Sequence, residues 1–228
     1  MAWLLAGLIT LLHYFGERID ESTASYQASI TSFASGLTIA YIFLQLFPEL
    51  TMAMDLLGDM VFLPVLCGVA VIHLAEKGIY KHEKSADAIR HDFKELHSII
   101  LLVYHLVIGV LLYQLLLGDI VRGTLFILPV LFHTAVSSLS LKELHEDILH
   151  TPTVHGAVSL APLFGVAIAS YTSIPTALFY TLLGVVTGVL LYITLRDSLP
   201  HVDKGAVMAF IVGTVSYSLL IIGIWHLI

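Results

Sequence analysis

Eight long apolar runs, at 2–16, 30–50, 57–77, 97–117, 122–142, 153–171, 175–196 and 205–227, take up most of the chain. This recurrence constrains the fold more than any motif does. A helix of about 20 apolar residues crosses the hydrocarbon of a bilayer and satisfies its own backbone polar groups there. Composition agrees: 12% of the 228 residues are charged and 58% are hydrophobic, with a mean hydropathy of +0.94. A soluble domain carries roughly a quarter charged residues. The expected fold class is therefore an all-α membrane protein of eight transmembrane helices, with residues 1–228 forming a single transmembrane domain. The connections are short, and a polar loop, 78–96, joins spans three and four. The first run lacks a basic segment before it and a convincing small-residue cleavage site after it, so it reads as a short span rather than a signal peptide. Cys67 is the single cysteine, which excludes an intramolecular disulfide.

Lys and Arg orient the bundle. With the amino terminus outside, the cytoplasmic connections hold Arg18; Lys77, Lys81, Lys84, Arg90 and Lys94; Lys142; and Arg196 with Lys204. Of the 10 basic residues only Arg122 falls outside. Dropping one span would move every later connection to the wrong side, so the charge pattern predicts eight spans with both termini outside. The formal charge of −7 comes from acids beside these basic residues, which reads as a solvated face and gives no sign of nucleic-acid binding.

Position sorts the 12 histidines. His82, His91 and His97, His145, His150 and His155, and His201 fall in cytoplasmic connections. His13 and His73 sit toward the cytoplasmic ends of spans one and three, and His226 near the outer end of span eight. His105 in "LLVYHLVIGVLL" and His133 in "ILPVLFHTAVSSL" are at mid-depth. The tight connection Gly118–Gly123 makes spans four and five antiparallel neighbours, and at about 1.5 Å per residue the two imidazoles reach nearly the same level. Polar groups at that depth face the protein interior and mark functional sites. Two readings are open. In one, the pair is hydrogen-bonded to Tyr104, Ser137 or Ser138 and holds two helices together. In the other it is a ligand site, since imidazole binds zinc, iron, copper, nickel and haem iron, although tight transition-metal sites use three or four ligands.

These residues resemble the Zrt/Irt-like (ZIP) family of divalent metal permeases, which has eight spans, both termini outside and a histidine-bearing cytoplasmic loop after span three. "ASGLTIAYIFLQLFPEL" is similar to the family's second span and "GVVTGVLLYITLRDSLP" to its seventh. The resemblance implies a transport site on spans four and five. His105 matches the first histidine of the family's span-four pattern, followed here by Leu106, Val107, Ile108 and Gly109. His133 matches the opening histidine of the span-five pattern, with Thr134 in place of a glutamate and Ser137 and Ser138 in place of the closing His-Glu. Gln45 stands where some relatives carry histidine, and Pro129 lies four residues before His133. The metal candidates are thus His105 and His133, supported by Ser137, Ser138 and Gln45, without the carboxylates that offset a dication's charge. "YIFLQLFP" and "YITLRDSLP" echo each other on spans of opposite direction, as inverted repeats require.

Other groupings are weaker. Glu146 and His150 share a helical face and, with His145, form either a cytoplasmic metal site or a solvated helix end. Glu49, Asp55 and Asp119 lie at the outer mouth, where acids usually face water. Arg196 and Asp197 read as a local ion pair, and Gly36, Gly184 and Gly188 as close-packing surfaces. The function expected is a ZIP-like permease carrying zinc or another divalent transition metal into the cytoplasm through a reduced histidine site. The alternatives are a ZIP-fold protein that has lost transport and serves as a structural, sensing or accessory membrane subunit, and, lower, a b-type haem protein. No enzymatic constellation sits at depth. The expected partners are the lipid bilayer of a plasma or inner membrane, the metal ion, and a second copy or larger membrane assembly.

Overall fold

The computed structural model describes residues 1–16, 26–82, 85–144, 152–198 and 206–227. Every apolar run is helical. We label the long helices α1 (Ala2–Gly16), α2 (Gln27–Tyr41), α3 (Leu63–His82), α4 (Ala86–Gly118), α5 (Ile120–Leu144), α6 (Pro152–Tyr171), α7 (Thr176–Ile193) and α8 (Val207–Leu227). Helix α2 continues through a π-helical turn, Ile42–Leu46, into a short helix, Phe47–Thr51, and α7 continues into a second π-helical turn, Thr194–Ser198. No strand occurs among the described residues. Among the described residues six helical stretches are long and apolar enough to cross a bilayer: Ala28–Thr51, Met54–Lys81, Ser98–Gly118, Thr153–Tyr171, Thr176–Arg196 and Val207–His226. The apolar parts of α1 and α5, Ala2–Phe15 and Ile120–Ala135, are shorter.

The surface is that of a membrane protein. Leu4 and Leu11 on α1, Leu66 and Leu74 on α3, and Met208 and Leu219 on α8 are exposed, while Ser32, Ser35, Thr38, His105 and Thr187 are buried. A protein surrounded by water would reverse that distribution. Several buried serine and threonine hydroxyls find backbone acceptors one turn back, as Ser35 Oγ does on the Thr31 carbonyl at 2.6 Å and Thr187 Oγ1 on the Leu183 carbonyl at 2.7 Å.

The stretch 78–96, expected as a loop, is largely helical extension. α3 runs on to His82, and α4 begins at Ala86. Its Lys, Glu and Ala residues favour helix, and Ala86, Ile89, Phe93 and Leu96 repeat at helical spacing.

Three helix crossings are made by reciprocal glycines. Gly36 of α2 faces the Phe210 carbonyl of α8, and Gly213 of α8 faces the Phe33 carbonyl of α2. Gly68 of α3 and Gly188 of α7 meet in the same way through Val185 and Val65, as do Gly109 of α4 and Gly165 of α6 through Pro162 and Leu106. A Cβ at any of these six positions would collide with the facing carbonyl, so only glycine admits the backbone approach. The expected packing roles of Gly36 and Gly188 are borne out, and Gly184 lies against Pro64.

The packing follows an exchange of helices, α1 with α6, α2 with α7, α3 with α8 and α4 with α5. Under it the α2–α8 contact becomes α7–α3, α4–α6 becomes α5–α1, and α2–α5 becomes α7–α4, and all of these contacts exist. Helix α2 also packs on the second π-helical turn and α7 on the first. Both turns fall on the two echoing sequences, each ending two residues before a proline, Pro48 or Pro200.

Pro129, inside α5, has no N–H for the carbonyl four residues earlier. That carbonyl, of Leu125, accepts a hydrogen bond from the Tyr217 hydroxyl of α8 at 3.1 Å. Tyr217→Phe is therefore expected to lower unfolding stability by about 1–2 kcal/mol, because it strands a buried carbonyl; thermal unfolding in detergent measures this. Gly109→Ala is expected to lower the same midpoint, at an overpacking cost on the order of 1–3 kcal/mol. Gly78→Ala, with nothing within 4 Å of the added carbon, leaves the midpoint unchanged or raises it.

Candidate functional site

The inward face of α1 repeats Ala2, Ala6, Ile9 and His13, all of them buried, and this brings His13 against α4 and α6. Its Nδ1 lies 3.1 Å from Ser159 Oγ of α6. Its ring is 5.0 Å from that of His105, edge to face, and 5.9 Å from that of His155. His155 in turn stacks on Tyr14, with ring centres 5.0 Å apart. Three imidazoles from α1, α4 and α6 thus form a cluster in which His13 and His105 are each 1% exposed.

His105 Nδ1 is 2.9 Å from the Leu101 carbonyl, one turn back on α4. A carbonyl only accepts, so Nδ1 carries the proton and Nε2 is the basic nitrogen, the arrangement that presets a histidine as a ligand. His133 of α5 is also buried, at 5% exposure, but the ring it meets is that of Tyr104, at 6.0 Å, rather than His105. Tyr104 also lies 5.6 Å from the ring of His105. Both histidines expected to meet are thus in ring contact with Tyr104, and among the described residues the imidazole in ring contact with His105 is that of His13.

The remaining candidates are scattered. Thr134 is buried beside His133. Ser137 and Ser138 continue the helix of His133, and their side chains lie outside what the structure describes. Gln45 is half-buried in the first π-helical turn. His145, Glu146 and His150 lie outside the described residues. His155, expected in a connection, belongs to α6. Among the described residues no three His, Cys, Asp or Glu side chains form a group able to hold a metal ion.

Two ionic groups lie on other helices. Glu49, expected at a wet mouth, is only 6% exposed. Its Oε1 is 3.4 Å from Arg122 Nη1, and Arg122 Nε is 3.6 Å from Asp119. This pair joins the end of the α2 segment to the start of α5. Arg196 pairs with Glu76 of α3; the side chain of Asp197, its expected local partner, lies outside what the structure describes. Tyr192 donates to Glu76 Oε2 at 2.7 Å, so its oxygen accepts from His73 Nδ1 at 3.3 Å. Carboxylates are thus held by arginines, while the central cluster contains imidazoles and hydroxyls.

The sequence does not single out His13, His155, Ser159 or Tyr104 as site residues. A signal for His13 exists in the spacing Ala2, Ala6, Ile9 and His13, but a helix apolar all round does not disclose which face is inward.

A comparison with models of known protein families returns no match, and neither does one with curated proteins.

Ser159→Ala is expected to cost about 1–2 kcal/mol by removing the partner of a buried imidazole. Ser159→Thr, which keeps the hydroxyl, is expected to recover part of that loss, as read by thermal unfolding of each purified variant.

Proposed function

We propose that this membrane protein is a ZIP-like permease that carries a divalent transition-metal ion of the zinc or iron kind into the cytoplasm through an imidazole-lined interior. The observation that carries the reading is the cluster of buried His13 and His105 with half-buried His155, drawn from three helices, and buried His133 in ring contact with Tyr104. In hydrocarbon such groups are costly, and their burial together favours a ligand or solute path. The exchange relation among the helix contacts supports a bundle of two inverted halves. With α1 and α5 counted as short spans, there are eight spans with both termini outside, in a plasma or inner membrane.

Neutral imidazoles donate lone pairs but no negative charge, so the cluster suits a borderline-soft cation that accepts nitrogen ligands better than calcium or magnesium. His105 supplies Nε2. His13 Nδ1 faces Ser159 Oγ, which holds the ring in place and, as donor and acceptor alike, suits either tautomer.

One observation favours a second reading, a ZIP-fold protein that serves as a structural, sensing or accessory subunit. The described residues contain no three-ligand group, and the buried carboxylate Glu49 is paired with Arg122. Metal analysis and zinc titration of the purified protein, followed by flux into proteoliposomes, separate the two. The permease reading expects stoichiometric binding and flux above empty vesicles, with His13→Ala and His105→Ala each weakening binding by at least about tenfold, near 1.4 kcal/mol. Absence of both binding and flux favours the subunit reading. An absorption band in the Soret region would instead mark haem.

A further inference from the structure

Three donor groups meet on Arg122 where α5 begins. Its Nη1 lies 3.4 Å from Glu49 Oε1 and 3.4 Å from Met52 Sδ, and its Nε lies 3.6 Å from Asp119 Oδ2. Glu49 and Met52 stand at the end of the segment that continues α2, and Asp119 directly precedes α5. Asp119 is also fixed independently of the arginine, because its Oδ1 accepts the Val121 N–H at 2.7 Å.

The guanidinium is held loosely. Charge-assisted N–H···O bonds are usually about 2.7–2.9 Å long, shorter than either carboxylate contact here. Arg122 lies in the first turn of α5, at the positive end of the helix dipole, where a cation is disfavoured. Its side chain is 40% exposed, whereas that of Glu49 is 8% exposed. Glu49 is therefore the partner that requires a counter-charge, and Arg122 is the partner that water can receive. Two carboxylates face a single guanidinium, so a dication in its place would balance the group where the arginine does not.

We propose that Glu49, Asp119 and the thioether of Met52 form a divalent-cation site at this mouth, and that Arg122 occupies it as a tethered counter-ion that an arriving dication displaces. The donors suit that exchange. Carboxylate oxygens bind divalent ions, and a thioether adds a soft ligand that favours transition metals over calcium or magnesium. An ion seated where Nη1 lies would need Glu49 Oε1 and Met52 Sδ to move in by about 1 Å to reach ordinary ligand distances. The third donor is a sulfur, which sets this group apart from the triplets of His, Cys, Asp or Glu that the described residues lack. A monovalent cation brings no more charge than the guanidinium and gains nothing by displacing it. The site contains none of the imidazoles, so it stands whether or not an ion crosses the bundle.

Manganese titration of the purified full chain, read by the paramagnetic resonance signal of the free ion, tests the site. Arg122→Gln is expected to bind manganese several-fold tighter than the unaltered chain, and the double variant with Glu49→Gln to lose that gain. Cadmium, which takes sulfur ligands more readily, is expected to displace the manganese, and Met52→Leu to weaken the displacement. In the unaltered chain, manganese is expected to speed the modification of Arg122 by phenylglyoxal several-fold, as read by mass spectrometry, while potassium at the same ionic strength does not. A folded Arg122→Gln variant that binds manganese no tighter, or a gain that survives Glu49→Gln, overturns the site. Cadmium displacement unchanged by Met52→Leu overturns the role of the thioether, and an Arg122 modification rate unchanged by manganese overturns the exchange. Where Arg122→Gln does not fold, the modification rates of the unaltered chain and of Glu49→Gln decide: acceleration lost in the second supports the site, and acceleration kept overturns it.

Discussion

A polar group inside hydrocarbon has no water to bond with, so each one must be answered by another part of the protein. Much of this structure follows from that constraint. Pro129 frees a carbonyl, and Tyr217 reaches across from another helix to take it. His105 turns its Nδ1 proton back onto its own helix, and His13 reaches Ser159. Glu49 and Glu76 are each joined to an arginine from a different helix. Each bond fixes a ring or a carboxylate in one orientation, so the cost of burying polar groups becomes the geometry of the site.

Close approach is the second requirement. Lipid is as apolar as leucine, so helices associate by fit rather than by exclusion from water. The three reciprocal glycine crossings supply that fit, binding α2 to α8, α3 to α7 and α4 to α6. The exchange of helices carries the first crossing onto the second. The imidazole cluster lies where α1, α4 and α6 converge, so one glycine crossing, between Gly109 and Gly165, belongs to the same helix pair as His105 and Ser159. Packing and site are built on the same elements.

The π-helical turns connect the two themes. A π-helical turn inserts a residue and shifts the register of the helix beyond it. One falls directly after Tyr41 and the other shortly after Tyr192, and each packs on the helix that carries the other. Tyr41 thereby reaches the core beside Tyr217, while Tyr192 bonds Glu76 of α3. Two similar sequences thus place their tyrosines in different surroundings.

The eight apolar runs are legible as helices because hydrophobic length is a local property, and their bounds agree with the structure to within a few residues outside 78–96. Burial of His105 and His133 is legible for the same reason. Partner choice is not. A chain apolar on every face carries no periodic signal for which side turns inward, so His13 reads as a residue near a helix end, His155 as one in a connection, and Tyr104 as a hydrogen-bond partner of His105 rather than a ring in contact with two histidines. Glu49 reads as a wet acid until Arg122, distant in sequence, is folded onto it. The sequence alone determined a bundle of apolar helices with histidines in its interior. Only the tertiary structure decided which imidazoles meet, because that depends on the rotation of each helix about its axis, and the rotation is set by glycine contacts and polar pairings between segments far apart in the chain.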